Sequence, residues 1–127
     1  MTERIQWIQY KGKRILYIDG SNIREEAEFL ELLEEAEATI IVQPKGRPLL
    51  TLFYSPGSLI TKPIVDRAKQ VFANAAERGI PNGPTAWVGS AGFQRAAVMA
   101  MQFIIKVIHV AESIEEAKDW LAAQEID

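Results

Sequence analysis

The chain has 127 residues, 48% of them hydrophobic and 24% charged, with a formal net charge of −3. A chain of this size buries roughly two thirds of its unfolded surface, so residues 1–127 are expected to form a single domain with its own core. The absence of cysteine excludes disulfides, thiol nucleophiles and thiolate metal sites, and the single His109 cannot build an imidazole cluster, so neither a metal nor a cofactor is expected.

The basic residues are scattered along an acidic chain, which lacks the electrostatic footprint of a nucleic-acid binder. No basic N-terminal segment leads into a hydrophobic one, and no apolar run reaches bilayer length. A cytoplasmic protein without a transmembrane segment is the expectation.

Taken in chain order, Arg4 to Tyr10 and Arg14 to Asp19 are β-rich runs flanking Lys11-Gly12-Lys13, which predicts an antiparallel hairpin. From Arg24, residues Ala27, Leu30, Leu33 and Ala38 fall at helical spacing, Phe29 and Ala36 form an adjoining stripe, and acids crowd the other face. This amphipathic helix is expected to run to about Gln43, before Pro44 and Gly46, although Thr39 to Val42 has strand composition. Leu49 to Tyr54, bounded by Pro48 and Ser55-Pro56-Gly57, reads as a strand buried on both faces. A second helix opens near Thr61-Lys62-Pro63, directs Ile64, Ala68, Val71 and Ala75 inward, and stops at Gly79.

Ile80 to Pro84 reads as a loop and Thr85 to Val88 as the next buried strand. Gly89-Ser90-Ala91-Gly92 then breaks the chain before an almost chargeless helix, Phe93 to Ile105, in which only Gln94, Arg95 and Gln102 are polar. Such a helix needs cover on both sides or must face something apolar. Lys106 to Val110 supplies the last strand. Ser113 and Glu116 have capping-box spacing, opening a final helix with Ile114, Ala117, Trp120 and Leu121 inward. The order ββαβαβαβα predicts an α/β domain with a mixed five-stranded sheet and four helices, parallel except for the opening hairpin.

This order resembles one family through four segments: Ile15-Leu16-Tyr17-Ile18-Asp19, Gln43-Pro44-Lys45-Gly46, Ala86-Trp87-Val88-Gly89-Ser90-Ala91-Gly92-Phe93-Gln94 and Ala111 to Leu121. It is similar to the bacterial STAS-like proteins related to anti-sigma-factor antagonists, in the branch compared with CRAL-TRIO lipid carriers. The resemblance spans about Ile5 to Leu121. It implies a non-enzymatic domain that acts through protein partners or holds a small apolar ligand. Regulatory members carry an Asp-Ser-Ser-Gly-type phosphorylation site where this chain reads Tyr54-Ser55-Pro56-Gly57-Ser58, without the acidic residue.

The candidate residues follow from this frame. A lipophilic ligand between the sheet and the helices at 61–78 and 91–105 would meet Ile64, Phe72, Phe93, Ala97 and Met101, with Met99, Ala100 and Phe103 nearby. Tyr54, Ser55 or Ser90 would orient its polar end. The same apolar helix serves equally as core or as a dimer contact, and a homodimer is the expectation. Gly89 to Gly92 reads either as a tight turn capped by Ser90 or as an anion cradle at a helix start. Ser55 and Ser58 are candidate phosphorylation sites for the alternative, a regulatory module that binds a protein partner. A hydrolase would need His109 beside a serine, and no triad is legible. Asp19, close to Ser21 and Asn22, reads as a helix cap.

Overall fold

In the computed structural model, which describes residues 3–89 and 108–124, the opening hairpin pairs β1 (Ile5–Tyr10) with β2 (Lys13–Asp19) in antiparallel register, Ile8 opposite Ile15. The turn is Lys11-Gly12, both with positive φ (49° and 79°), which matches the right-handed twist of the flanking strands.

Helix α1 (Glu26–Ile40) buries Phe29, Leu32, Leu33, Ala36 and Ile40. The expected stripe was therefore rotated. Ala27 and Ala38 are exposed and Leu30 is half-buried, because Phe29 and Leu32 remove far more apolar surface from water than the alanines. The helix also ends three residues before Gln43: Ile41 and Val42 form a turn, and Val42 is 75% exposed. Thr39 stays helical, its hydroxyl donating to the Glu35 carbonyl at 3.0 Å.

Strand β3 (Leu49–Tyr54) occupies the centre of the sheet, as suits a run that is apolar but for the buried Thr51. Helix α2 (Lys62–Glu77) starts behind Thr61 with Pro63 in its first turn, where no N–H partner is needed. It ends before Gly79, whose φ is 84°.

Strand β4 (Asn82–Val88) begins earlier than the sequence suggests, inside the expected Ile80–Pro84 loop. The reason is a bulge. Leu49 pairs with Asn82 and Thr51 with Thr85, so Gly83 and Pro84 together oppose Leu50. Pro84, which has no N–H for the ladder, is tolerated at such a bulge, and Gly83 lets the strands approach. A Cβ on Gly83 would lie 2.2 Å from the Leu49 carbonyl oxygen.

Strand β5 (Ile108–Ala111) runs one residue past the expected Val110. Helix α3 (Ile114–Ala122) follows, with Ser113 Oγ accepting from the Glu116 amide at 3.1 Å. Glu116 reaches back to the Glu112 amide at 2.9 Å, one residue before the usual capping-box target. The predicted helix Phe93 to Ile105 and the first residues of the Lys106–Val110 strand lie outside the described residues. Among those residues the domain is a mixed five-stranded sheet with three helices.

The strands lie in the order β1-β2-β3-β4-β5, all parallel after the hairpin. Leu16, Ile18, Phe53 and Trp87 point from one face into a core with α1 and α2. Alternation sends Ile15, Leu50, Leu52, Ala86 and Val88 to the other face, where α3 contributes Ala117 and Leu121. On this second face α3 packs chiefly over β3, β4 and β5 and reaches the hairpin at its rim, where Asp119 accepts from the Tyr10 hydroxyl and from Lys11.

Candidate functional site

At the carboxyl ends of β2 and β3 the chain is tied together by its backbone. Gly20 donates to the Tyr54 carbonyl and Ser55 to that of Val88, each at 2.7 Å, and Leu59 donates to Ile23 at 2.8 Å. The two serines complete these ties from inside. Ser55 is fully buried, and its Oγ accepts from the Trp87 indole Nε1 at 2.7 Å. Ser58, also buried, donates to the Gly20 carbonyl and accepts from the Ile23 amide at 2.9 Å. Both candidate phosphorylation sites thus lie beneath the surface in the folded chain.

Asp19 accepts from the Ser21 amide at 3.0 Å and from its hydroxyl at 2.6 Å. It caps this turn and not a helix, because α1 begins only at Glu26. Arg4 closes the rim by donating to the carbonyls of Asp19 and Ser21 at 3.1 and 3.0 Å.

Among the described residues, the predicted ligand-binding set divides between the two faces of the sheet. Ile64 and Phe72 are 2% and 7% exposed within the α1–α2 core, beside the stack of Phe29, Phe53 and Trp87 with ring centroids 6.0 and 4.7 Å apart. Tyr54 belongs to the opposite face, in line with Leu50 and Leu52. Ser55, one residue on, turns back towards Trp87. Ser90, Phe93, Ala97 and Met101 lie outside the described residues. The sheet order also never reverses, so the usual crevice of open α/β sheets, the switch point between strands wound in opposite directions, does not arise among these strands.

What Tyr54 does meet is Tyr17. On the α3 side of the sheet Tyr17 stands opposite Leu52, one pleat from Tyr54, with Ile8 of β1 on the same face. All three are half-buried. Burial pushes the Tyr17 phenol up to about 12, and the carboxylate of Asp19 and the Tyr54 phenol add to the shift. At neutral pH it is a hydroxyl donor.

His109 also lies on this face. Its ring stacks on Trp120 at 4.9 Å, and Nε2 sits 3.2 Å from Glu116 Oε1. The Glu116 carboxyl is held below its ordinary range, first by the Glu112 amide and then by His109. Ser55 faces the other side of the sheet, so the sheet itself separates the imidazole from that hydroxyl.

A cleft of about 360 Å³ opens at the other end of the strands, lined by Trp7, Arg14, Arg47, Pro48, Leu49 and neighbours. The Arg14 guanidinium lies 3.7 Å from the Trp7 ring centroid and donates to Gln43 Oε1 at 3.3 Å. Gln43 is held in turn by the Thr39 carbonyl at 3.0 Å. The hairpin register, with Trp7 opposite Leu16, already placed Trp7 and Arg14 diagonally on one face. Arg47 is remote in sequence, and only the return of the chain into β3 brings it here.

No cluster of His, Asp or Glu suited to a metal ion occurs among the described residues, and none of their helices is long and apolar enough to cross a membrane. No family model matches the chain, and no curated protein or solved structure matches it at a significant level.

Proposed function

We propose that this chain is a non-catalytic binding domain with STAS-like strand order, which holds a small lipophilic ligand against the α3 side of its sheet at Tyr17 and Tyr54. The observation that carries this reading is the half-buried Ile8, Tyr17 and Tyr54 group on the face where α3 packs chiefly over β3 to β5 and meets the hairpin through Asp119 and Lys118 at Tyr10. Apolar surface of this kind supplies affinity, and two phenol hydroxyls give a polar end its orientation. Tyr17 keeps its proton far above neutral pH and so donates. The non-catalytic half of the proposal is supported by the enclosure of Ser55 and Ser58 and by the placement of His109 on the opposite face from Ser55. A serine-switched regulatory module is the weaker reading, because both hydroxyls are committed to internal hydrogen bonds.

Native mass spectrometry of protein purified without detergent tests the proposal. A co-purifying apolar mass, or one-to-one binding of added decanol, is expected, and Tyr54→Ala should weaken decanol binding about tenfold. Ile64→Val, a change within the α1–α2 core, should leave it unaltered. Failure to bind any decanol, or equal binding by Tyr54→Ala, would refute the assignment.

A further inference from the structure

We infer that the cleft at the amino ends of β2 and β3 is a second binding site, specific for a small organic carboxylate with a flat apolar body. It stands apart from the Tyr54 face, lying at the opposite end of the strands and on the α1 side of the sheet. Three features point to this ligand class.

The first is the state of Arg14. The Trp7 ring 3.7 Å away restrains its guanidinium, and Gln43 engages one of its N–H groups. The remaining donors of the planar guanidinium form a fork of the kind that pairs with a carboxylate through two parallel hydrogen bonds. Neither Arg14 nor Arg47 has a carboxylate partner among the described residues, whereas Arg4 and Arg67 do.

The second is charge. The lining holds Lys13, Arg14 and Arg47 and no acidic side chain, in a chain whose net charge is −3. The Lys13 ammonium is directed to the Gln124 carbonyl at 3.2 Å, so the cationic pair facing the cleft is Arg14 with Arg47. A cleft lined by one sign of charge within a protein of the other concentrates small anions locally.

The third is shape. Pro44, Pro48, Leu49 and Leu50 line the cleft together with Trp7. At about 360 Å³ the space is too large for a bare inorganic anion and falls at the small end of organic-ligand pockets. A bicyclic aromatic body would rest on the apolar wall while its carboxylate met the two guanidinium groups.

Naphthalene-2-carboxylate is a suitable probe, followed through the three tryptophan indole N–H resonances, with that of Trp7 assigned from Trp7→Phe. A saturable shift of the Trp7 resonance is expected. Arg14→Gln combined with Arg47→Gln should weaken binding about tenfold or more, in line with the loss of charge-assisted hydrogen bonds. Arg47→Gln alone, an exposed change that leaves folding intact, should give an intermediate loss. Neutral naphthalene-2-carboxamide should leave the resonance unmoved.

The inference is overturned if the amide binds as well as the acid or if the double variant binds undiminished. It is equally overturned if inorganic phosphate alone reproduces the shift, or if the response falls on Trp87 or Trp120. Decanol binding at Tyr54 is read separately, so failure at one site is distinguishable from failure at the other.

Discussion

Replacing Ser55 by alanine removes one oxygen, and its consequence can be worked from a single contact. The Trp87 indole donates to that oxygen at 2.7 Å, and Ser55 has no exposed surface through which water could substitute. A buried donor left without a partner costs about 1–3 kcal/mol, and the small void adds little, so Ser55→Ala should destabilise the fold by about 2 kcal/mol. With an unfolding entropy of about 2.1 cal/mol/K per residue over 127 residues, the melting temperature should fall by about 7 °C. Urea unfolding followed by far-ultraviolet circular dichroism measures the loss directly. Trp87→Phe removes the same hydrogen bond from its other end, so the double variant should be less destabilised than the sum of the single ones, by about 1 kcal/mol. A Ser55→Ala effect below about 0.5 kcal/mol, as for surface substitutions, together with strict additivity, would refute the claim that this serine is an internal tie and reopen it as a modification site.

Two further outcomes are expected. Gly83→Ala should cost about 3 kcal/mol, because its Cβ meets the Leu49 backbone at 2.2 Å, while Gly12→Ala should cost only about 1–2 kcal/mol, since its φ of 79° is unfavourable but nothing lies within 4 Å. Equal urea midpoints for the two variants would contradict the close approach at the β4 bulge. Tyr17 ionises in the folded chain only at about 12, above its ordinary value of 10.0, so the folded state holds more protons than the unfolded one between these values. Its contribution to stability is present below pH 10 and is lost as pH rises towards 12; Tyr17→Phe should flatten this alkaline decline, and an unchanged slope in urea titrations would oppose the burial of the phenol.

Those elements that depend on local pattern were legible. The Lys11-Gly12 turn, Pro63 in the first turn of α2, and the Ser113–Glu116 spacing each express a backbone requirement that nearby residues satisfy. What escaped depended on partners distant in the chain. The face of α1 was set by what Phe29 and Leu32 could bury against the sheet, which helical spacing alone does not reveal. The start of β4 was hidden because Gly83 and Pro84 read as breakers, although the bulge gives both a place within the strand. The described members of the expected ligand set are divided for a simpler reason: consecutive residues at a strand end point to opposite faces, which separates Tyr54 from Ser55, Ile64 and Phe72. Arg47 could not be tied to Arg14 without the path of the chain from α1 into β3.

The sheet order that follows chain order has a bearing on how the molecule assembles. Every strand after the hairpin adds beside the one made just before it, so no strand must be threaded between two that are already paired. The segments from Asp19 to Leu49 and from Tyr54 to Asn82 are of similar length, and loop closure costs rise only slowly with length, so the successive parallel closures carry comparable entropic penalties. Of these five strands the β1–β2 hairpin is made before the rest, and each later strand joins the edge left by the one before it. Assembly is then an accretion in a single direction, with the residues nearest the C-terminus laid down last against an existing wall.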